Sequence, residues 1–405
     1  MFDQLYECPF TVARYHKGPM LEERLAFLTH LANQGYSQSA LRSNSRYLLA
    51  IARALGPASQ PRKSLTHAEV KRRTANHCRF CYDLYPLAVR WLRFVGRLPE
   101  RPAPLTSWAK KTKAFADYME HEEELRPATV RGRCWFVTRF LDQLHVKGDS
   151  LQQITPRQID TMIQKMLDRG SYTRGTIRTW ANALRAFFRF AEARGWCHKG
   201  LAAAIRSPRV FSQVMLPLGP SWDDVRRLLA ITEGDQRHNI RARPMLMLLA
   251  IYGLRGGEVS CLRLEDFDWE HEVFRVVSSK TQRVRTYPLM RAVGDAILRY
   301  LREGRPRSPH RQVFLSLHAP FRPVRNKSLS VMVATRLRSL NVSLPHYGAH
   351  ALRHACATRL LATGLSLKEI GDQLGHTDPN STRIYAKVDL AGLRQVADFD
   401  LGGVL

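Results

Sequence analysis

Apolar positions recur at three- and four-residue intervals over most of this chain, the period of amphipathic helices rather than of strands. After an extended, aromatic-containing lead, the first such stripe runs through Leu21, Leu25, Phe27, Leu28 and Leu31 and is broken at Gly35. Ser37 or Ser39 can cap a second helix carrying Leu41, Tyr47, Leu48, Ile51 and Leu55, which Gly56 and Pro57 stop. Residues 58–76 read as a polar, basic stretch, and 86–95 predict a further helix with Pro86 in its first turn. Three prolines within 97–104 cannot sit inside regular structure, so this segment is a linker.

From Trp108 the pattern repeats in outline, with one helix through Phe115 and Tyr118 and another from Pro127 through Phe136, Phe140, Leu141 and Leu144. Residues 35–55 can be laid on 124–144 without gaps, pairing Tyr47 with Phe136, Ile51 with Phe140 and Leu55 with Leu144. Two unrelated amphipathic hairpins would give similar matches, because helical spacing alone forces them. Helices over 156–167 and 172–193 follow, the second stopped by Gly195, and a basic, proline-punctuated segment over 206–220 makes a second linker. Beyond it Ser221 is an N-cap with Asp223 and Asp224 in the first turn. Residues 244–252 form an apolar helix ending at Gly253. Two runs, 273–277 and 284–289, alternate as antiparallel strands with a turn at 279–282. The expected class is mainly α: an additional N-terminal helical region over 1–100, a helical domain over 105–205, and a mostly helical (α+β) domain with one small antiparallel β-sheet over 215–405.

Charge narrows the function. The 405 residues hold 63 Lys and Arg against 35 Asp and Glu, a formal +28 that calls for a polyanion, with nucleic acid the first candidate. A membrane is disfavoured, because there is no apolar run of about 18 residues. The start lacks the basic and apolar segments of a signal peptide, and seven irregularly spaced cysteines argue for a reducing compartment. The expected location is cytoplasmic.

The chemistry gathers in 350–385, which reads His350-Ala351-Leu352-Arg353-His354, then Leu374-Gly375-His376, then Arg383-Ile384-Tyr385. Forked guanidiniums, imidazoles and a phenol are the groups that a phosphate-handling site needs. His350 and Arg353, three apart at a helix start, share a face, and a helix N-terminus favours an anion. His354 points elsewhere and reads as a packed or hydrogen-bonding histidine. Gly375 lets the chain turn so that His376 faces inward. Upstream, Arg255 follows a helix and a glycine, with Glu258 placed to orient it. Lys280 lies at the tip of the predicted hairpin, where a solvated turn lysine is the plain reading, and Arg283 competes with it.

These motifs resemble the tyrosine recombinase (phage integrase) family: Gly253-Leu254-Arg255 with Glu258 its first arginine motif, His350-x-Leu352-Arg353-His354 with Ala357-Thr358 its second, and Leu374-Gly375-His376 with Thr382-x-x-Tyr385 its nucleophile box. The resemblance covers about 108–390, where 105–205 corresponds to a core-binding domain. It implies a site-specific DNA recombinase in which Tyr385 attacks a phosphodiester to give a 3′-phosphotyrosyl bond. Arg255, Arg353 and His376 would stabilise the transition state, His350 would act as base or donor, and Lys280 would protonate the leaving oxygen. Neither cofactor, metal nor ATP is implied. The implied partners are double-stranded DNA, clamped between basic domains, and a homo-tetramer on paired sites, including sister recombinases. Two other functions compete: DNA relaxation like a type IB topoisomerase, which the Leu-Gly-His box disfavours, and a catalytically silent DNA-binding regulator, which the full residue set disfavours. After the tyrosine, Leu390, Leu393, Val396, Ala397 and, at its edge, Phe399 fall on one helical stripe, which needs a groove on its own domain or, as the resemblance favours, on a neighbouring protomer. Cys78 and Cys81 form a lone C-x-x-C, better read as two buried thiols than as a zinc site.

Overall fold

Local signals set most of the helix boundaries. In this computed structural model, which describes residues 1–56, 65–75, 83–99, 108–144, 150–170, 172–210, 219–278, 282–376 and 378–388, the lead is helical rather than extended. Helices α1 (Phe2–Leu5) and α2 (Pro9–His16) bury Phe2, Leu5 and Tyr15, with Pro9 in the first turn of α2. Each is too short to show a period in the sequence. Helix α3 (Leu21–Asn33) ends before Gly35, at φ +82°, and the Ser37 hydroxyl accepts from the Ala40 amide to start α4 (Gln38–Leu55).

The basic stretch at 58–76 holds an element that composition hid. Helix α5 (His67–Ala75) starts where Thr66 Oγ1 accepts from the Glu69 amide, and it buries Val70 and Thr74 under a polar exterior. Helix α6 (Tyr85–Phe94) buries Trp91 and Leu92. Arg97 and Leu98 are packed, with the Arg97 carbonyl accepting from the Leu65 amide, so the expected linker over 97–104 does not include its first two residues. Residues 78 and 81 lie outside the described residues.

Helices α7 (Ala109–His121), α8 (Pro127–Gln143), α9 (Pro156–Asp168) and α10 (Arg174–Ala193), followed by the short α11 (Leu201–Ala204), share a core of Phe115, Phe140, Trp180 and Phe187. By compactness the chain divides into two units, 99–212 and a second made of 1–98 with 213–405; within the second, 1–98 keeps its own core.

The rest is built round one buried helix. Ser221 and Asp224 cap α12 (Trp222–Ala230) reciprocally. Helix α13 (Arg237–Ile251) starts seven residues before the expected apolar run and holds Pro244 in its interior. The helix forgoes one hydrogen bond there, while Ile240 and Met245 to Ala250 are buried on several sides. After α14 (Gly256–Cys261), a three-stranded antiparallel sheet has the order β1 (Phe267–Asp268), β2 (Val273–Val277), β3 (Val284–Pro288), with Phe274 opposite Tyr287 and Val276 opposite Arg285. The first strand was not expected. Helices α15 (Arg291–Arg299), α16 (Asn326–Ser339), α17 (Ala349–Ala362), α18 (Leu367–Leu374) and α19 (Asn380–Arg383) complete the fold, and a 3-10 turn over Ile384–Val388 carries Tyr385. The fold is mostly helical with one small antiparallel sheet, and no helix among the described residues is long and apolar enough to cross a membrane.

Candidate active site

Two glycine turns bring the motifs together. At Gly253 (φ +62°) the chain leaves α13 so close to α18 that an added Cβ would lie 2.3 Å from Leu374 Cδ2. Gly375 (φ +66°) ends α18 in the left-handed conformation, with the His376 amide bonded back to the Gly371 carbonyl. A helix end leaves carbonyl oxygens without intrahelical partners and carries partial negative charge. Here those oxygens anchor three arginines. Arg285 Nη1 donates to the Gln373 carbonyl (3.4 Å), Arg353 Nη2 to Leu374 (2.8 Å) and Arg255 Nη2 to Gly375 (3.0 Å).

A buried carboxylate sets their orientation. Arg255 is the N-cap of α14, and Glu258 reaches back to its amide (2.9 Å) and its Nη1 (3.0 Å). The same Glu258 oxygen accepts from Arg285 Nη2 at 2.7 Å. Arg285 also donates to Tyr287 Oη, which donates to the Gln373 carbonyl at 2.7 Å. Arg353, 2% exposed, spans both turns by donating Nη1 to the Gly253 carbonyl at 2.6 Å. Burial and the Arg255 charge bring its guanidinium down to about 10, so it stays protonated at neutral pH. Two of the three guanidiniums therefore share one carboxylate, while Arg353 donates to carbonyls, an excess of positive charge that suits an anion.

The imidazoles and the phenol are neutral beside it. Burial, then the nearby cations, pull His376 down to about 4, and its Nδ1 lies 2.7 Å from Thr382 Oγ1. His354 falls to about 4 through burial and the neighbouring His350, whose ring meets it edge-on at 4.5 Å. Burial and the charges of Arg353 and Arg255 also hold His350 below the usual imidazole range. Tyr385 is 2% exposed among Cys356, Ala357, Ile370 and Leu374, and burial pushes its hydroxyl up to about 12. Its Oη lies 3.0 Å from His354 Nδ1.

Of the residues singled out in the sequence, Arg255, Arg353 and His376 meet at the α18 terminus, and His350 and Tyr385 join through His354. Lys280 lies outside the described residues. Arg285 and Tyr287 were not foreseen as part of the site. Their signal was the period of two on β3, which puts both on one face with the buried Tyr287.

The model of the phage integrase family matches residues 221–391, and that of the phage integrase N-terminal SAM-like domain matches 112–195. The putative integrase/recombinase y4rA of Sinorhizobium fredii (strain NBRC 101917 / NGR234) is 38% identical over 287 residues, covering 70% of this chain and 69% of that one. The chain belongs to the phage integrase family. This integrase is a tyrosine-type recombinase of the site-specific kind. It is also 27% identical over 295 residues to the tyrosine recombinase XerA of Pyrococcus furiosus, covering 70% of this chain and 91% of that one. Its fold is shared with a lambda integrase dimer bound to a COC′ core site (TM-score 0.54, 16% identity, 73% of this integrase and 99% of that chain). It is shared too with the Tn1549 transposon integrase in complex with circular intermediate DNA (TM-score 0.53, 19% identity, 71% and 99%).

Proposed function

We propose that Tyr385 is the nucleophile of this recombinase, acting on duplex DNA. Its phenolic oxygen attacks a phosphorus, the bond to the 5′ oxygen breaks, and a 3′-phosphotyrosyl link is left beside a free 5′-hydroxyl. Lys280 supplies the proton to the departing oxygen, and His350 takes or shares the proton of the phenol. Arg255, Arg353 and His376 stabilise the charge that builds on the phosphoryl oxygens, which is catalysis by preorganised donors. A 5′-hydroxyl of the second strand reverses the attack. Because the phosphodiester energy stays in the covalent link, no ATP is consumed, and the guanidiniums take the charge that a metal would otherwise carry. Residues 105–205 act as the core-binding domain and 215–405 as the catalytic domain. The working assembly is a homo-tetramer on paired sites, in the cytoplasm.

The observation that carries this reading is the set of three guanidiniums fixed on the end of α18, a cation cluster only partly offset by Glu258 and anchored on the motif that also supplies the tyrosine. The test is Tyr385→Phe on a nicked duplex that traps the covalent complex. The variant binds the DNA as the parent does and gives no shifted band on a denaturing gel. A shifted band that persists moves the nucleophile elsewhere.

A further inference from the structure

The match between 35–55 and 124–144 extends well beyond the hairpin. Each of the four buried positions of α8 has a buried counterpart on α4, 89 residues earlier: Leu41 with Val130, Leu48 with Val137, Ile51 with Phe140, Ala52 with Leu141. The same interval carries α5 onto α9, placing the N-cap Thr66 on the N-cap Thr155 and the buried Val70 and Thr74 on the buried Ile159 and Ile163. Just before them, the buried Leu65 falls on the buried Ile154. It carries α6 onto the start of α10, where Ala88, Trp91 and Leu92 fall on Ile177, Trp180 and Ala181, all fully buried. Helix α3 matches α7 at an interval of 88, Phe27 on Phe115 and Leu31 on Met119, and the difference is the one extra residue in the connection after α7. Helical period fixes spacing inside one helix. It cannot hold one interval across three helices and the connections between them, nor place tryptophan on tryptophan.

The exposed side corresponds too. Arg42, Arg46 and Arg53 fall within about 40° of one another round α4 at about 100° per residue, and all three are exposed. Their counterparts on α8 are the exposed Arg131, Trp135 and Asp142, with Arg139 stacked over Trp135. Residues 1–99 hold 15 Lys and Arg against 6 Asp and Glu, so the region is strongly basic in its own right. We propose that residues 21–98 are a second copy of the helical fold matched at 112–195, and that Arg42, Arg46 and Arg53 grip the phosphate backbone of duplex DNA outside the segment that is cut. This rests on the reading of the chain as acting on duplex DNA. A duplex presents one negative charge per about 1.7 Å of its axis, a continuous target for a line of guanidiniums.

The full chain is titrated against a long fluorescent duplex of arbitrary sequence over a series of salt concentrations. The parent gives a steep logarithmic salt slope, and each lost phosphate contact makes it shallower by about 0.9. R46Q/R53Q, which leaves the Arg42 bond to the Leu5 carbonyl intact, is therefore expected to lower the slope by about 2. Its covalent complex formation on a duplex limited to the core site stays unchanged. R46K/R53K, which keeps the charge, retains the parent slope. An unchanged slope in R46Q/R53Q overturns the proposal, as does equal loss in R46K/R53K, which would mean that the arginines act through packing or through contacts to protein. A flat slope in the parent itself brings down the reading of the whole chain as a DNA-binding enzyme.

Discussion

At neutral pH His354 and His376 are uncharged and Tyr385 keeps its proton, and these states link the site to folding. Each histidine has a folded value of about 4 against about 6.5 unfolded. Between those values the unfolded chain binds more protons, so stability is complete above about pH 6.5 and falls as pH drops towards 4. Urea unfolding at stepped pH should show up to about 1.4 kcal/mol lost per pH unit for each histidine, and His376→Gln should remove its share of that slope. An identical slope in the variant would mean that His376 is charged in the fold. Glu258→Gln tests the other side of the site. It leaves the partly exposed Arg255 and Arg285 without their carboxylate, at a cost below the about 3–5 kcal/mol of a fully buried broken pair, and covalent complex formation on a trapping duplex should fall at least about tenfold. Arg255, Arg353, His376 and Tyr385 were legible because each stands in a spaced motif. Arg285 was not, since its role depends on which strand face meets Glu258, a fact of tertiary packing.

At the scale of elements, the α18 terminus makes Gly375 hard to replace. A Cβ there would lie 2.5 Å from Arg285 Nη1, at a φ of +66° that L-residues rarely adopt. Gly375→Ala should push Arg285 from Glu258 and lower the single-turnover cleavage rate while leaving DNA affinity within about twofold, since few phosphate contacts are touched. Comparable losses in both would make the turn a binding element. Helices with caps and an apolar stripe, such as α4, α9 and α12, were legible from their residues. Those that escaped had other causes: α1 and α2 are too short for a period, α5 hides two buried positions among charges, and α13 begins before a proline that normally ends a helix.

For the whole molecule, the compact unit over 99–212 could be anticipated from two proline-rich joints, whereas the proposed kinship of 21–98 with 112–195 draws its support from the burial pattern. Assembly is the test at this scale. The stripe Leu390, Leu393, Val396 and Ala397 lies outside the described residues, and the proposed tetramer makes it the segment passed between protomers. Truncation after Val388 should leave binding to a single site nearly intact and abolish the tetramer, by gel shift and sedimentation. Loss of both would place the tail on its own domain. One consequence follows from the tyrosine that is 2% exposed beside His354. A chain of charge +28 would meet far more indifferent DNA than target, and in this conformation the proposed nucleophile is buried beside His354. Under the proposed reaction, an encounter with DNA in this conformation leaves the strands whole, and cleavage requires an event that first draws the phenol out.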